Sequence, residues 1–230
     1  VTQLTFDEVG HEMAINDANS NPWSSDGNHL LFFRRVSEEN GLLPPPLELY
    51  SMNVNSGAKV LLSGGNTRLA APSWSPDGTH IAYVFVEPVG NRDITRIYVS
   101  DNSGNNVVNI TKHLPPDEDI FGFNFSWSDD GQSIIFIADR YTYENGNGKS
   151  TLYRASLDGN SLVEIDHVST HIVDQWNGTL FINAIASTQS LTWLRSDGTH
   201  SVLNAYQNCV RAHILFGTTY ERSLYGNLVI

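Results

Sequence analysis

Two groups of side chains in this 230-residue chain have types that can do chemistry. His113 is followed by Asp117, Glu118 and Asp119, and His167 by His171 and Asp174. Imidazoles and carboxylates hold zinc or another divalent ion when several of them converge. The His-x3-His spacing brings its ligands together only on a helix, where residues four apart share a face. Here Ile172 and Val173 suggest a strand and the surrounding segment reads as a link, so no metal and no cofactor is assigned. His29, His80 and His200 each follow an Asp-Gly pair by two residues, which a repeating geometry explains. No Gly-x-Ser-x-Gly segment supplies a serine nucleophile on an elbow. No Ser/His/Asp set can be argued from spacing. Gly64-Gly65 and Gly146-Asn147-Gly148 lack the lysine and helix of a phosphate loop. No catalytic residue is assigned.

The elements that position these groups are written in a phrase that occurs three times. It runs Trp23-Ser24-Ser25-Asp26-Gly27, Trp74-Ser75-Pro76-Asp77-Gly78 and Trp127-Ser128-Asp129-Asp130-Gly131. A period of about 50 residues marks a propeller or solenoid rather than a single-core globule. Asp-Gly is a hairpin-turn pair, because Gly tolerates positive φ and Asp bonds the local backbone. Each Trp ends the preceding strand, where it can pack between neighbouring repeats. Burying such a ring is worth roughly 4–6 kcal/mol gross at about 25 cal/mol/Å². Trp23, Asp26, Gly27, Trp74, Asp77, Gly78, Trp127, Asp130 and Gly131 are therefore read as structural.

An apolar run follows each phrase: Leu30–Phe33, Ile81–Phe85 and Ser133–Ile137. A strand carrying Tyr50, Tyr98 or Tyr153 comes next, then a turn with Gly57, Gly104 or Gly159, then a short last strand. Four β-type runs bounded by turns make one blade of a β-propeller. The expected units are 11–62, 70–112, 121–166 and a degraded 172–204, with a partial fifth at 208–230 completed by 1–5. The whole chain reads as one all-β propeller domain of four-stranded antiparallel blades. It is either a closed five-bladed ring or part of a larger one.

Composition narrows the partners. With 13 Lys+Arg against 25 Asp+Glu the net charge is -12, which argues against sequence-independent nucleic-acid binding and against docking on anionic lipid. Cys209 is the single cysteine, so no intrachain disulfide forms. Low charge and abundant Asn, Ser, Thr and Gly lean toward a periplasmic or extracellular protein. No apolar run is long enough for a membrane-spanning helix. The chain opens at Val1 and reads as a processed product or a piece of something longer. The triplets Asn109-Ile110-Thr111, Asn124-Phe125-Ser126 and Asn177-Gly178-Thr179 fit the N-glycosylation pattern, but chance explains them in so Asn-, Ser- and Thr-rich a chain.

The strings APSWSPDGTHIAYVF and RIYVSDNSGNNVVNIT resemble the TolB-type propeller repeat. Pro72, Trp74, Ser75, Pro76, Asp77, Gly78, Ile81 and Tyr98 all fall in its pattern. The first unit has Ser25 and the third Asp129 where the repeat has its second Pro, and residues 167–230 match poorly. The resemblance implies a propeller, often periplasmic or secreted, that binds other proteins. The same repeat is similar to the propellers that gate prolyl oligopeptidase and dipeptidyl peptidase hydrolase domains. Sialidase-type Asp boxes differ, because here Gly directly follows Asp.

In an up-and-down blade the first and third turns share one face of the disc. The second turn and the link to the next blade share the other. Here the first and third turns are short, whereas Arg34–Glu48, Glu87–Arg96, Ala138–Thr151 and the links Thr111–Phe125 and Asp166–Gln175 are long. Binding residues concentrate on such loops. Arg34, Arg35, Arg92, Arg96, Arg140, Tyr141, Tyr143, His113 and Asp117 are the candidate partner contacts, since Arg and Tyr suit protein interfaces. The expected function is a non-enzymatic protein-interaction module, either free-standing or part of a multi-subunit assembly. One alternative is the propeller of a larger hydrolase. Another is a glycan-binding propeller using Asp117, Glu118 and Asp119.

Overall fold

The computed structural model describes the backbone of residues 11–13, 22–35, 47–64, 68–90, 92–140, 150–168, 170–176, 179–184, 191–195 and 200–203. Side-chain surroundings are described within 22–35, 47–64, 69–90, 93–120, 125–140 and 150–165. These residues form sixteen strands and no helix. No helix among them is long and apolar enough to cross a membrane.

The strands build four separate four-stranded sheets, each an antiparallel meander in sequence order. The first contains β1 (His11–Met13), β2 (His29–Arg35), β3 (Leu47–Asn53) and β4 (Lys59–Ser63). The second contains β5 (Arg68–Trp74), β6 (His80–Val89), β7 (Arg92–Asp101) and β8 (Val108–Asn109). The third contains β9 (Glu118–Trp127), β10 (Ser133–Arg140), β11 (Ser150–Ser156) and β12 (Leu162–Val168). The fourth contains β13 (Thr170–Trp176), β14 (Thr179–Ala184), β15 (Leu191–Arg195) and β16 (His200–Leu203). The expected fifth unit, 208–230 with 1–5, lies outside the described residues.

The second strands show why these sheets act as blades. In β2, Leu30, Leu31, Phe32 and Phe33 are all buried, and in β6 so are Ile81, Ala82, Tyr83 and Val84. In β6 alternation is lost because neighbouring blades cover both faces of the sheet: Ile81 and Tyr83 pack toward the first blade, Ala82 and Val84 toward the third. The outer strand β4 is the contrast: Lys59, Val60 and Leu61 are exposed. The cores lie between blades. Leu31, Phe33 and Leu49 of the first blade pack with Leu69, Trp74, Ile81 and Tyr83 of the second. Val84, Ile97 and Ile110 of the second pack with Ile120, Phe125, Trp127 and Phe136 of the third.

Trp74 and Trp127 are buried at these interfaces, and the Trp127 indole N–H donates to the Ser73 carbonyl at 3.4 Å. Trp23 departs from the expected inter-blade role, being 42% exposed. Each buried Trp packs on the blade before it, and no described blade precedes the first.

The phrase itself is a closed hydrogen-bond unit. The Ser24 hydroxyl donates to Asp26 Oδ1 at 2.5 Å and accepts the His29 N–H, while Asp26 Oδ1 also accepts the Asn28 N–H. Ser75 with Asp77, and Ser128 with Asp130, repeat it. Gly27, Gly78 and Gly131 all have positive φ. Proline finds its place too. Residues 71 and 72 have no register partner between Ala70 and Ser73, so Pro72, which lacks an N–H, sits in a bulge of an inner strand.

Three long connections prove shorter than expected. Residues 87–96 are mostly strand: β6 and β7 pair from His80↔Asp101 out to Val89↔Arg92. The 111–125 link gives up its second half to β9, where Glu118, Asp119 and Ile120 pair with Arg140, Asp139 and Ala138. The 166–175 link shrinks to residue 169 between β12 and β13. Apolar and β-branched residues in these stretches found partners that composition did not reveal.

Candidate partner-binding face

The end of the disc with the second turns and inter-blade links carries most of the expected contacts, and the strands engage several of them. Arg34 on β2 lies opposite Glu48 on β3 and pairs with it at 3.2 Å. The Tyr50 hydroxyl donates to the same carboxylate at 3.1 Å. Burial, then the Glu48 carboxylate, pushes the Tyr50 phenol up. Arg35, next along, is half-buried opposite Leu47.

The second and third blades repeat a tyrosine–glutamate bond. Tyr98 donates to Glu87, and burial followed by that carboxylate raises its phenol to about 12. Tyr153 donates to Glu118 at 2.8 Å, and burial followed by Glu118 raises its phenol as well. All three tyrosines stack on or against an aromatic ring of the second strand: Phe32, Tyr83 and Phe136. The tyrosines were visible as a repeat. Their partners were not, because the glutamates come from β3, β6 and β9 and so keep no constant spacing.

Arg96 is 7% exposed and is not available as a surface contact. Its Nη1 donates to the Thr95 carbonyl at 2.7 Å and the Glu118 carbonyl at 3.3 Å, and it meets Asp119 at 3.4 Å. With Thr95 donating to the Ile120 carbonyl, it ties the second blade to the third. The carboxylates near His113 diverge accordingly. Asp117 pairs with Arg140 at 3.0 Å, Glu118 serves Tyr153, and Asp119 serves Arg96. Among the described residues no three His, Cys, Asp or Glu side chains group to hold a metal ion. His167 lies on β12, with His171 and Asp174 on β13, where the register shifts between Ile172 and Asp174.

What stays accessible at this end is His113, Asp117 and Arg140, with the β6–β7 hairpin. Val89, one residue before the hairpin's positive-φ Gly90, is 52% exposed, and Arg92 begins the return strand. Tyr141 and Tyr143 lie outside the described residues.

The opposite end holds a cavity of about 470 Å³ between the first two blades, which loop length alone did not signal. The repeat turns line it, with Asp26, His29 and Asn53 from one blade and Trp74, Asp77 and Asn102 from the next. Hydrogen bonds from Ser24 and Asn28 hold the Asp26 carboxyl down at about 2. Burial lifts Asp77, but bonds from Ser75 and Thr79 outweigh it and keep it below the usual range.

The first of the three triplets also has a structural explanation. Asn109 Oδ1 accepts both the N–H and the hydroxyl of Thr111, and the Thr111 oxygen accepts the Ile97 N–H. This knot fastens the outer end of the second blade, with Thr111 fully buried.

No family model and no curated protein matches the chain. Solved structures do. Oligogalacturonate lyase from Vibrio parahaemolyticus superposes with TM-score 0.63 at 15% identity, over 83% of this chain and 54% of that one. TolB from Acinetobacter baumannii gives 0.52 at 16%, over 87% and 45%. The β-propeller domain of the Trilobed protease from Pyrococcus furiosus gives 0.58 at 14%, over 84% and 60%. The chain thus spans about half the length of the structures it matches. At these identities the likeness concerns fold, and in fold the chain is a TolB-like β-propeller.

Proposed function

We propose that this chain is a non-enzymatic protein-interaction module acting outside the cytoplasm, with its long-connection face toward a protein partner. The observation that carries this reading is the β6–β7 hairpin. Its strands have 10 residues each, while the outer strand β8 beside them has 2. A paired ribbon keeps its shape, so docking against it costs little ordering entropy. It offers the exposed Val89 beside the exposed Asp93, an apolar residue next to a charge, as interface centres and rims do. Arg140, Asp117 and His113 from the neighbouring blade extend the same face. Arg34 and Arg35 contribute at its border.

The test is a photoreactive residue at position 89, compared with one at Asn55 on the short-turn face, in extracts of the source organism. One protein captured from position 89 and lost with Val89→Asp supports the reading. Capture from position 55 alone sinks it.

A second reading makes the chain the propeller part of a larger peptidase. The likeness to the Trilobed protease propeller favours it. A Gly-x-Ser-x-Gly segment in the full gene product would select it.

A further inference from the structure

The cavity of about 470 Å³ at the short-turn end has a volume that suits a small molecule, and its lining has a definite charge. The first turns of two blades frame it. A Cβ on Gly78 would stand 3.2 Å from Ser25 Oγ, so the turns touch and bring Asp26 and Asp77 to one rim. Hydrogen bonds from Ser24 and Asn28 keep Asp26 ionised in neutral solution. For Asp77 burial works against the charge, and bonds from Ser75 and Thr79 outweigh it. The bonds that Asp77 accepts, from the Ser75 hydroxyl and from the N–H and hydroxyl of Thr79, all end on Oδ1. Oδ2 keeps its lone pairs for a ligand.

No Lys or Arg is among the residues that line this cavity. Lys59, beside the lining residue Ala58, holds its ammonium over the Phe32 ring instead. Two anions therefore face the space without a protein cation, on turns that their own hydrogen bonds already fix, so a ligand meets them with little ordering cost. The rest of the lining is not uniformly polar. Ala58 and Val60 add aliphatic surface, with Val60 41% exposed. An anionic ligand is repelled here. Among the described residues no third carboxylate or imidazole joins these two to hold a bare metal ion. A ligand with positive ends and an aliphatic stem satisfies both kinds of wall: each ammonium brings three N–H donors, and methylene groups cover apolar surface.

We propose that this cavity binds a small aliphatic diamine, one ammonium on Asp77 and the other on Asp26, with the methylene chain against Ala58 and Val60. The site lies at the opposite end of the disc from the long-connection face and does not rest on the protein-partner reading.

The test is calorimetric titration of the full chain at low salt with cadaverine, and with Nα-acetyl-lysinamide, which has a similar stem but a single ammonium. The expected result is saturable binding of one cadaverine per chain, about tenfold tighter than the monoamine, because a second charge-assisted contact is worth about that factor. Asp77→Asn and Asp26→Asn keep an acceptor for the turn bonds, and each weakens cadaverine binding about tenfold. Ser25→Lys leaves those bonds untouched, at a position that holds Pro76 and Asp129 in the other copies, and abolishes binding by placing a cation at the rim. Asp158→Asn removes a carboxylate with the same serine bond from the third blade, away from the cavity, and leaves binding unchanged. Absence of saturable binding overturns the proposal. Equal affinity for the two probes also overturns it, and would assign the cavity to a lysine side chain of a partner. An equal loss with Asp158→Asn overturns it as well, since general attraction to a chain of net charge -12 would then explain the binding.

Discussion

Replacing Gly159 by alanine tests the blade-on-blade geometry directly. Two costs are expected. The residue has φ +66°, and an alanine held in the left-handed region loses about 1–2 kcal/mol. The new methyl would also stand 2.8 Å from the Asn109 carbonyl oxygen and 3.3 Å from Ile110 Cα. Both are backbone atoms, so relief requires one blade to shift against the other. Overpacking of this kind costs typically about 1–3 kcal/mol. Gly90 separates the two costs. It has φ +63° at the tip of the β6–β7 hairpin and nothing within 4 Å of its would-be Cβ. Gly90→Ala therefore loses only the conformational part. Urea denaturation followed by tryptophan fluorescence reads the difference. With a slope of about 2 kcal/mol/M, the two variants separate by roughly 0.5–1.5 M in midpoint. Equal midpoints would mean that the third turn does not press on the neighbouring blade.

Arg96→Met removes the guanidinium that joins Thr95, Glu118 and Asp119 across two blades. A loss of about 2–4 kcal/mol is expected, with faster amide exchange at the start of β9; unchanged exchange there would refute the role. Tyr153→Phe leaves the buried Glu118 carboxylate without its hydroxyl donor and destabilises by about 1–3 kcal/mol, measured by thermal melting. Asp26, Asp77, Asp130 and Asp158 all sit below the usual carboxylate range. A depressed folded pKa stabilises fully above the unfolded value of about 3.9 and loses that contribution as pH falls through the folded value. For Asp26 the window runs from about pH 4 down to about 2. Ser24→Ala raises the Asp26 pKa in an NMR titration; an unmoved value would refute the turn's electrostatics.

The blade was legible because its signals are local. The Ser-x-Asp-Gly turn satisfies its own hydrogen bonds within six residues, so its phrase had to recur wherever the turn does. The tryptophans were legible as packing residues, but Trp23 shows that burial depends on a neighbour the phrase does not contain. The candidate face was only half readable. Loop length identified the end of the disc, yet residues 87–96 and 118–125 paired into strands. The charges singled out there sorted into structural and exposed sets by contacts across 14 to 23 positions, as in Arg34–Glu48 and Arg96–Asp119. Such pairings obey the register of strands that bulges shift, and no fixed spacing announces them. The cavity at the opposite end is a property of two blades meeting and belongs to neither repeat alone.

Because each core lies between blades, synthesis of the chain has a built-in delay. Leu31, Phe33 and Leu49 are finished as strand residues early, but their packing partners Leu69, Trp74, Ile81 and Tyr83 emerge only with the next repeat. Every completed sheet therefore waits on the ribosome with one greasy side bare until the following tryptophan arrives. During synthesis each interface can close only after the following repeat has emerged, so a pause within residues 54–74 would hold the nascent chain at its most adhesive. Chaperone dependence should rise and fall with the repeat period.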